Sequence, residues 1–482
     1  MKPPYVSFAV RARRPPRVGA GDIVDSVLAA LRAGHLPPGS RLPPVRVLEH
    51  QLGVGKNTVQ CAYDELVARG ALETREREGV FVALAADGGR LASSHGLPAA
   101  CVAPLARLRP APPVRHTGGS HGDALLMSSV FIDPALLPRD RLADCARSVL
   151  KSPGLSAFYD GQGYGPLREV IATRLRARGI EVGPSNVIVT TGSQQALDIV
   201  GRALAVRRVA LEDPVYDYAR LLFETLGLAV APLPLDPFAG IALDSWEARI
   251  AAAPPGLLYA ITSYQNPTGY SYTTHELARV LRLAREHRVG LLEDDWGSDM
   301  LSGSEYRPTL RALGGPGVLY ANSFTKKVLP SLRVGFLVAD EALVPDLVAH
   351  KRLSTLGNNW LSEAILAEFL DRGYYDTHLA ALQRELDARY ASCLAALDEL
   401  MPEGVRWTTP GGGPTLWLEL PREIDLEALR QRLAARRVVI ETAASQFAGE
   451  PHLHGFRVSY AFSPPDALRR GLEALRDEIS RT

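Results

Sequence analysis

Apolar residues in the first eighty positions recur at helical spacing in three short runs and then alternate. In "DIVDSVLAALRAG", Ile23, Val27, Leu28 and Leu31 share one helical face, and Gly34 ends the run as a C-cap. The Pro/Gly-rich "HLPPGSRLPPVR" cannot be helix interior and predicts a turn. A second short helix is expected over about 45–52, stopping at Gly53. A third is expected over about 56–69, with Val59, Ala62, Leu66 and Val67 on one face and Gly70 as its stop. "ALETREREGVFVA" then predicts two short strands around a charged turn. Helix, turn, helix, helix and hairpin over residues 22–83 is the pattern of a winged helix-turn-helix, within an N-terminal domain of residues 1–83.

From 84 to 122 the periodicity disappears. "RLRPAPPVRHTGGSHG" predicts an extended Pro/Gly/Ala-rich linker. From 123 to 482, short apolar strands ("VIVTTG", "RVALED", "LLYAITS", "GLLEDD", "VLYANSF", "VGFLVAD") alternate with amphipathic helices. That alternation predicts an α/β domain with a largely parallel sheet, with a smaller C-terminal lobe over roughly 355–482.

Composition changes this picture little. At 482 residues the chain is too long for one core, and its 46% hydrophobic and 22% charged residues belong to a globular protein. A net charge of +1 argues against polyanion binding over the whole surface, but residues 1–83 hold about twelve Lys/Arg against eight Asp/Glu. The four cysteines lack C-x-x-C spacing, which argues against a zinc site or disulfide framework and for a reducing cytoplasm. No apolar run approaches the length of a membrane span, and no membrane partner is expected.

Chemistry gathers at the strand ends, where α/β sheets build their sites. "NSFTKKVLP" sets Lys326 and Lys327 side by side after a strand. Thr191-Gly192-Ser193-Gln194 joins a strand to a helix whose N-terminal N–H groups suit a phosphate. Asn266-Pro267 follows another strand, and Asp294 ends a buried one, where a carboxylate needs a partner. Taken together, these signals describe a pocket for pyridoxal 5'-phosphate: an anion cradle, a carboxylate for the ring nitrogen, a donor for the ring oxygen and an amine for the aldehyde.

In this order the segments resemble the fold-type I aminotransferases over about 123–482. The family pattern S-x-x-K with a following arginine matches Ser323, Lys326 and Arg333, which implies that Lys326 is the Schiff-base lysine and Lys327 its neighbour. The resemblance further implies that Gly192, Ser193, Gln194, Ser323 and Arg333 hold the phosphate. It assigns Asn266 to the ring oxygen, Asp294 to the ring nitrogen and Tyr216 to the ring face. Arg457 of "HGFRVSYAFS" would clamp a substrate carboxylate. Two departures stand out: Trp296 replaces the family's usual tyrosine, and "SSVFIDPALLP" lacks the usual glycine near the substrate carboxylate. Both argue against normal turnover more than against cofactor binding.

The N-terminal unit resembles the GntR-type winged helix. That resemblance implies phosphate contact by Arg46, base contacts by Lys56, Asn57, Thr58 and Gln60, and a wing tip at Gly79; Glu73, Glu76 and Glu78 make the wing unusually acidic. The two units in one chain resemble the MocR-type regulators. This implies a transcription factor that binds a double-stranded DNA operator as a head-to-tail homodimer, with Tyr159 reaching the partner's phosphate. Its large domain would sense pyridoxal phosphate, an amino acid or an amine, the amino acid as an external aldimine. The alternative reading is a working aminotransferase with a vestigial winged helix.

Overall fold

The computed structural model describes residues 5–10, 18–75, 78–83, 124–152, 160–300 and 307–481. They fall into two compact units, one within Met1–Ala111 and one within Pro112–Thr482. The expected linker and the positions of Glu76 and Tyr159 lie outside the described residues.

In the N-terminal unit, α1 (Ala20–Arg32), α2 (Val45–Leu52) and α3 (Lys56–Ala68) precede β1 (Leu72–Arg75) and β2 (Gly79–Val82). The two strands pair antiparallel, with Leu72 opposite Val82 and Arg75 opposite Gly79. Helix α1 starts two residues before the expected position. Asp22 is its third residue, and its carboxylate reaches back to accept from the Gly19 N–H at 2.9 Å. Ile23, Val27, Leu48, Val59, Ala62, Leu66, Leu72 and Val82 form one buried core. Tyr63 joins it by donating its hydroxyl to the Pro43 carbonyl at 2.8 Å. The winged helix-turn-helix pattern is therefore realised by the residues that carried the periodicity.

The C-terminal unit contains β3 (Leu125–Leu126), β4 (Val187–Thr190), β5 (Arg208–Asp213), β6 (Ala229–Asp236), β7 (Gly240–Ile241), β8 (Leu257–Ala260), β9 (Gly290–Asp294), β10 (Val318–Ser323) and β11 (Gly335–Val338). Eight of these form one sheet in the order β4-β11-β10-β9-β8-β5-β6-β7. Pairings β10–β9, β9–β8, β8–β5 and β5–β6 are parallel, while β11 runs against both β10 and β4. Strands such as "VIVT" and "LLYA" are buried along their whole length, as a sheet covered by helices on both faces requires.

A second core lies toward the C-terminus. The 27-residue helix Tyr374–Leu400 and the amphipathic helix Pro465–Ile479 enclose Leu397, Leu416, Phe456, Val458 and Leu472. Its three-stranded sheet orders β12 (Arg406–Trp407), β13 (Thr415–Glu419) and β15 (Gly455–Ser459), and β14 (Val438–Val439) pairs parallel with β3. Among the described residues, no helix is long and apolar enough to cross a membrane.

One reversed strand decides what the sheet edge can hold. Because β11 is antiparallel, its first residue, Gly335, pairs with the last residues of its neighbours, Ser323 and Thr190. The loop entering β11 therefore meets the loops leaving β4 and β10. A Cβ on Gly335 would stand 2.8 Å from the Asn322 carbonyl oxygen and from Gly192 Cα. Gly335→Ala should consequently destabilise the C-terminal unit by about 1–3 kcal/mol, the usual range for overpacking a rigid site. Urea titration monitored on that unit's unfolding transition checks this, and a midpoint unmoved from wild type would contradict the close approach.

Candidate functional site

At this edge, Gly192 adopts φ 95° and caps the helix Ser193–Ala203. The space a Cβ would fill at Gly192 is occupied by the Arg333 guanidinium, whose Nη2 would lie 2.9 Å away. Arg333 is itself held in the left-handed region at φ 51°, which a non-glycine residue adopts only where its surroundings impose it. Its Nη2 donates to the Thr191 carbonyl at 2.8 Å. Ser323 completes this corner, donating from Oγ to Thr325 Oγ1 at 2.8 Å and accepting from the Thr325 N–H at 3.1 Å. An arginine, two serines and free helix N–H groups converge here, which is the donor set of a phosphate cradle.

The cradle opens into a cavity of about 80 Å³. Ser193, Gln194, Tyr216, Asn266, Asp294, Ser323, Lys326 and Arg333 all line it, so the structure brings together most of the pocket residues expected from the sequence. Gly192 stands behind Arg333, and Arg457 reaches the cavity through Asn266. Gln194 is steadied by donating to the Tyr218 carbonyl at 3.3 Å. Tyr216 stacks on Tyr218, their ring centroids 5.7 Å apart.

The two adjacent lysines part company. Lys327 is 0% exposed and donates to Asp299 Oδ1 and Asn322 Oδ1, both at 2.8 Å. Burial alone would raise the Asp299 carboxyl, but Lys327 and Arg178 hold it well below the usual carboxylate range. Tyr375 donates to the other oxygen of Asp299 at 2.6 Å, and His378 Nε2 meets the Lys327 carbonyl at 2.7 Å. Lys326 points instead into the cavity, its Nζ 4.6 Å from the Trp296 ring and 5.9 Å from the Tyr216 ring. Burial pushes its amine down to about 8, with Arg457 and Arg333 adding to the shift and Asp294 opposing it.

Asp294 is 3% exposed at the end of β9. Its Oδ2 accepts from the Tyr259 hydroxyl at 2.9 Å, and its Oδ1 has no hydrogen-bond partner among the described residues. Burial pushes this carboxyl up to about 6, against the pull of Tyr259 and Lys326. An orphaned buried carboxylate oxygen in a cavity marks a place for an external donor. Trp296 lies against the same space, but its indole N–H is committed to the Tyr264 carbonyl at 3.0 Å. It presents only a π face to the cavity, as expected of a residue without the phenol.

Arg457 is buried beside the cavity. Its Nη1 donates to Asn266 Oδ1, its Nε and Nη2 to the Ser128 carbonyl at 3.0 and 2.6 Å, and Nη2 also to Glu441 Oε2 at 3.2 Å. Ser128 belongs to the segment that lacks the expected glycine. Sequence reasoning missed Glu441, Ser128, Tyr259 and Thr325. Only Thr325 carried a local signal, lying between Ser323 and Lys326; Tyr259 meets Asp294 through the register of β8 on β9.

In the N-terminal unit, Arg46, Lys56, Asn57 and Gln60 are exposed and Thr58 is half-buried, all at the starts of α2 and α3. Gln60 donates to Asp64 at 2.8 Å. At the wing, Gly79 has φ 122°, with its vacant Cβ position 3.2 Å from Arg41 Nε. Glu73 is paired with Arg75, which also stacks over Phe81 at 4.4 Å. One of the three acidic residues expected at the wing is thereby neutralised locally; Glu78 is exposed.

The donor set of the C-terminal pocket fits a group that carries a phosphate, a basic ring nitrogen and an aldehyde. Comparison with known proteins agrees. Residues 134–475 match the model for aminotransferase class I and II, and residues 20–82 that for the bacterial regulatory proteins of the gntR family. A 2-aminoadipate transaminase of Thermus thermophilus is 33% identical over 350 residues, 71% of this chain and 86% of that enzyme. A solved structure of LysN, an alpha-aminoadipate aminotransferase from the same species complexed with N-(5'-phosphopyridoxyl)-L-leucine, matches with TM-score 0.70. It is 31% identical and covers 74% of this chain and 92% of that one. The probable rhizopine catabolism regulatory protein MocR of Rhizobium meliloti is 28% identical over 464 residues, 94% of this chain and 92% of its own length. The cofactor for which the pocket is built is pyridoxal 5'-phosphate. With a GntR-type DNA-binding unit ahead of a pocket of this kind, the chain belongs to the class I and II aminotransferase family, in the MocR-type branch of transcriptional regulators.

Proposed function

We propose that this regulator reads an amino acid or amine through its cofactor pocket and transmits the reading to DNA as a head-to-tail homodimer. Lys326 would hold the cofactor through its amine. Asp294 would hold the ring nitrogen, Asn266 the ring oxygen and Tyr216 the ring face, while Gly192, Ser193, Gln194, Ser323 and Arg333 would hold the phosphate. Tyr159, outside the described residues, is assigned to the phosphate of the second copy. Pyridoxal phosphate supplies a carbonyl that condenses with amines and a ring that withdraws electrons. The observation that carries this reading is the cavity shared by the shifted Lys326 amine, the orphaned Asp294 oxygen and the Arg333 guanidinium.

The roles of the protein groups follow from their surroundings. A neutral amine is the nucleophile, so lowering Lys326 toward 8 makes it available near neutral pH. Asp294, pushed up by burial, gains a cationic partner when it faces a protonated ring nitrogen. Arg457 lies where an effector carboxylate would be held, and binding there would favour closure of the C-terminal lobe. On the DNA side, Arg46 meets phosphate, the Lys56, Asn57, Thr58 and Gln60 side chains meet base edges, and Gly79 forms the wing tip.

Three outcomes are expected. Lys326→Ala should abolish the visible band of covalently bound cofactor and the borohydride-trapped adduct. Lys327→Ala should keep the adduct but lose about 3–5 kcal/mol of stability, because Asp299 is left charged and buried. In the apo-protein, the rate of cofactor attachment should rise with pH through about 8, where Lys326 loses its proton. An adduct mapped to Lys327, or a rate midpoint at the ordinary lysine value, would reverse the assignment.

For DNA, Arg46→Ala in the full chain should weaken specific and non-specific binding alike and reduce the log–log salt slope by about one. Asn57→Ala should instead cost about 1–3 kcal/mol at particular base pairs. Uniform loss across sequences with Asn57→Ala would remove it from the base-reading set.

The whole reading is tested by titrating operator DNA with and without an effector identified from its shift of the cofactor spectrum. Affinity should change about five- to 150-fold, the range of ordinary allosteric coupling, and DNA should change effector affinity by the same factor. Repeated transamination with flat DNA affinity would return the protein to the enzymes.

A further inference from the structure

Arg457 carries more partners than a waiting carboxylate clamp should. A guanidinium has five N–H groups. Nε and one Nη2 hydrogen go to the Ser128 carbonyl, one Nη1 hydrogen goes to Asn266, and the other Nη2 hydrogen goes to Glu441. One N–H remains, on Nη1. A carboxylate held bidentately needs two neighbouring N–H groups, and the second is the one Glu441 takes.

Glu441 is fastened in this place by its backbone. Its N–H donates to Ser128 Oγ at 3.1 Å, and Ser128 Oγ donates to the Arg457 carbonyl at 2.7 Å. The two ends of the ion pair differ in freedom: the Glu441 side chain is 30% exposed, the Arg457 side chain 7%. Glu441 is the end that water reaches when the pair opens, whereas the arginine would leave two buried acceptors behind, the Ser128 carbonyl and Asn266 Oδ1. Asp217 adds a second negative charge around the same guanidinium. The pocket therefore opposes an incoming carboxylate as long as Glu441 stays.

We propose that Glu441 is a built-in carboxylate ligand of Arg457, displaced when a carboxylate-bearing effector binds. It sets a threshold for such effectors and leaves amines without a carboxylate unaffected. This rests on the reading that the pocket receives an effector, and it names the residue that discriminates between the two effector classes.

The test uses the full chain loaded with cofactor and two probes. Propionate, which has a carboxylate and no amine, reports on Arg457 by titration calorimetry. Propylamine, which has an amine and no carboxylate, reports on the cofactor by its spectral shift. Glu441→Gln should bind propionate at least about tenfold more tightly than wild type, as expected when a competing charge is removed from the clamp. Adding Arg457→Ala should abolish the gain, and propylamine affinity should stay within about twofold between wild type and Glu441→Gln. Equal propionate affinity in wild type and Glu441→Gln overturns the proposal. So does an absence of propionate binding to the variant, a gain that survives Arg457→Ala, or a parallel gain for propylamine. DNA plays no part in these readouts, so a flat DNA response would count against the sensor reading alone.

Discussion

The buried ion pair between Lys327 and Asp299 is the constraint on which the pocket turns. An ammonium with no exposure to solvent must find fixed partners, and Lys327 finds two oxygens at 2.8 Å on separate segments. Asp299 is in turn bound by Tyr375 at the start of the long helix Tyr374–Leu400, and His378 one turn later meets the Lys327 carbonyl. The loop after β10 is thus tied at its second lysine to the helix leading into the C-terminal lobe. With Lys327 anchored on one side, the side chain before it points to the other, into the cavity. The lysine that enters the cavity is positioned by its buried, ion-paired neighbour.

A second constraint is steric and has the same consequence. Reversal of β11 brings Arg333 to the edge where the parallel strands end, and Gly192 and Gly335 let three backbones meet there. The guanidinium fills the space that a side chain at Gly192 would need. Backbone conformations rare for a side-chain-bearing residue persist at Arg333 because pairing on both sides of β11 and the Thr191 contact over-determine them. Glycine placement, strand direction and anion binding are one arrangement.

Inside the cavity the charges are set against one another rather than simply paired. Lys326 is lowered by burial and by two arginines and is raised by Asp294; Asp294 is raised by burial and left with one oxygen unsatisfied. Arg457 holds a glutamate of its own chain. Lys326 and Asp294 gain when a group of complementary character arrives, while Arg457 is already paired. Trp296 adds a π face where a hydroxyl would have supplied a donor, and its N–H is already spent on Tyr264.

Much of this was legible along the chain, and for local reasons. Helical spacing at Val59, Ala62 and Leu66 and the glycines at 53 and 70 set the winged helix-turn-helix, because capping and amphipathicity act over a few residues. The ends of the apolar strands marked where polar residues would gather, and the spacing of Ser323, Lys326 and Arg333 singled out by resemblance the lysine that lines the cavity. Helix α1 begins two residues before the apolar run, because Asp22 caps it from its third position through the Gly19 N–H. What the tertiary structure alone decided are the contacts between segments distant in the chain. Asp299 meets Lys327, Tyr259 meets Asp294 through strand register, and Ser128 and Glu441 meet on Arg457 more than 300 positions from the first of them. Such pairings depend on which strands lie side by side and which loops meet at their ends, and no local periodicity or propensity encodes that.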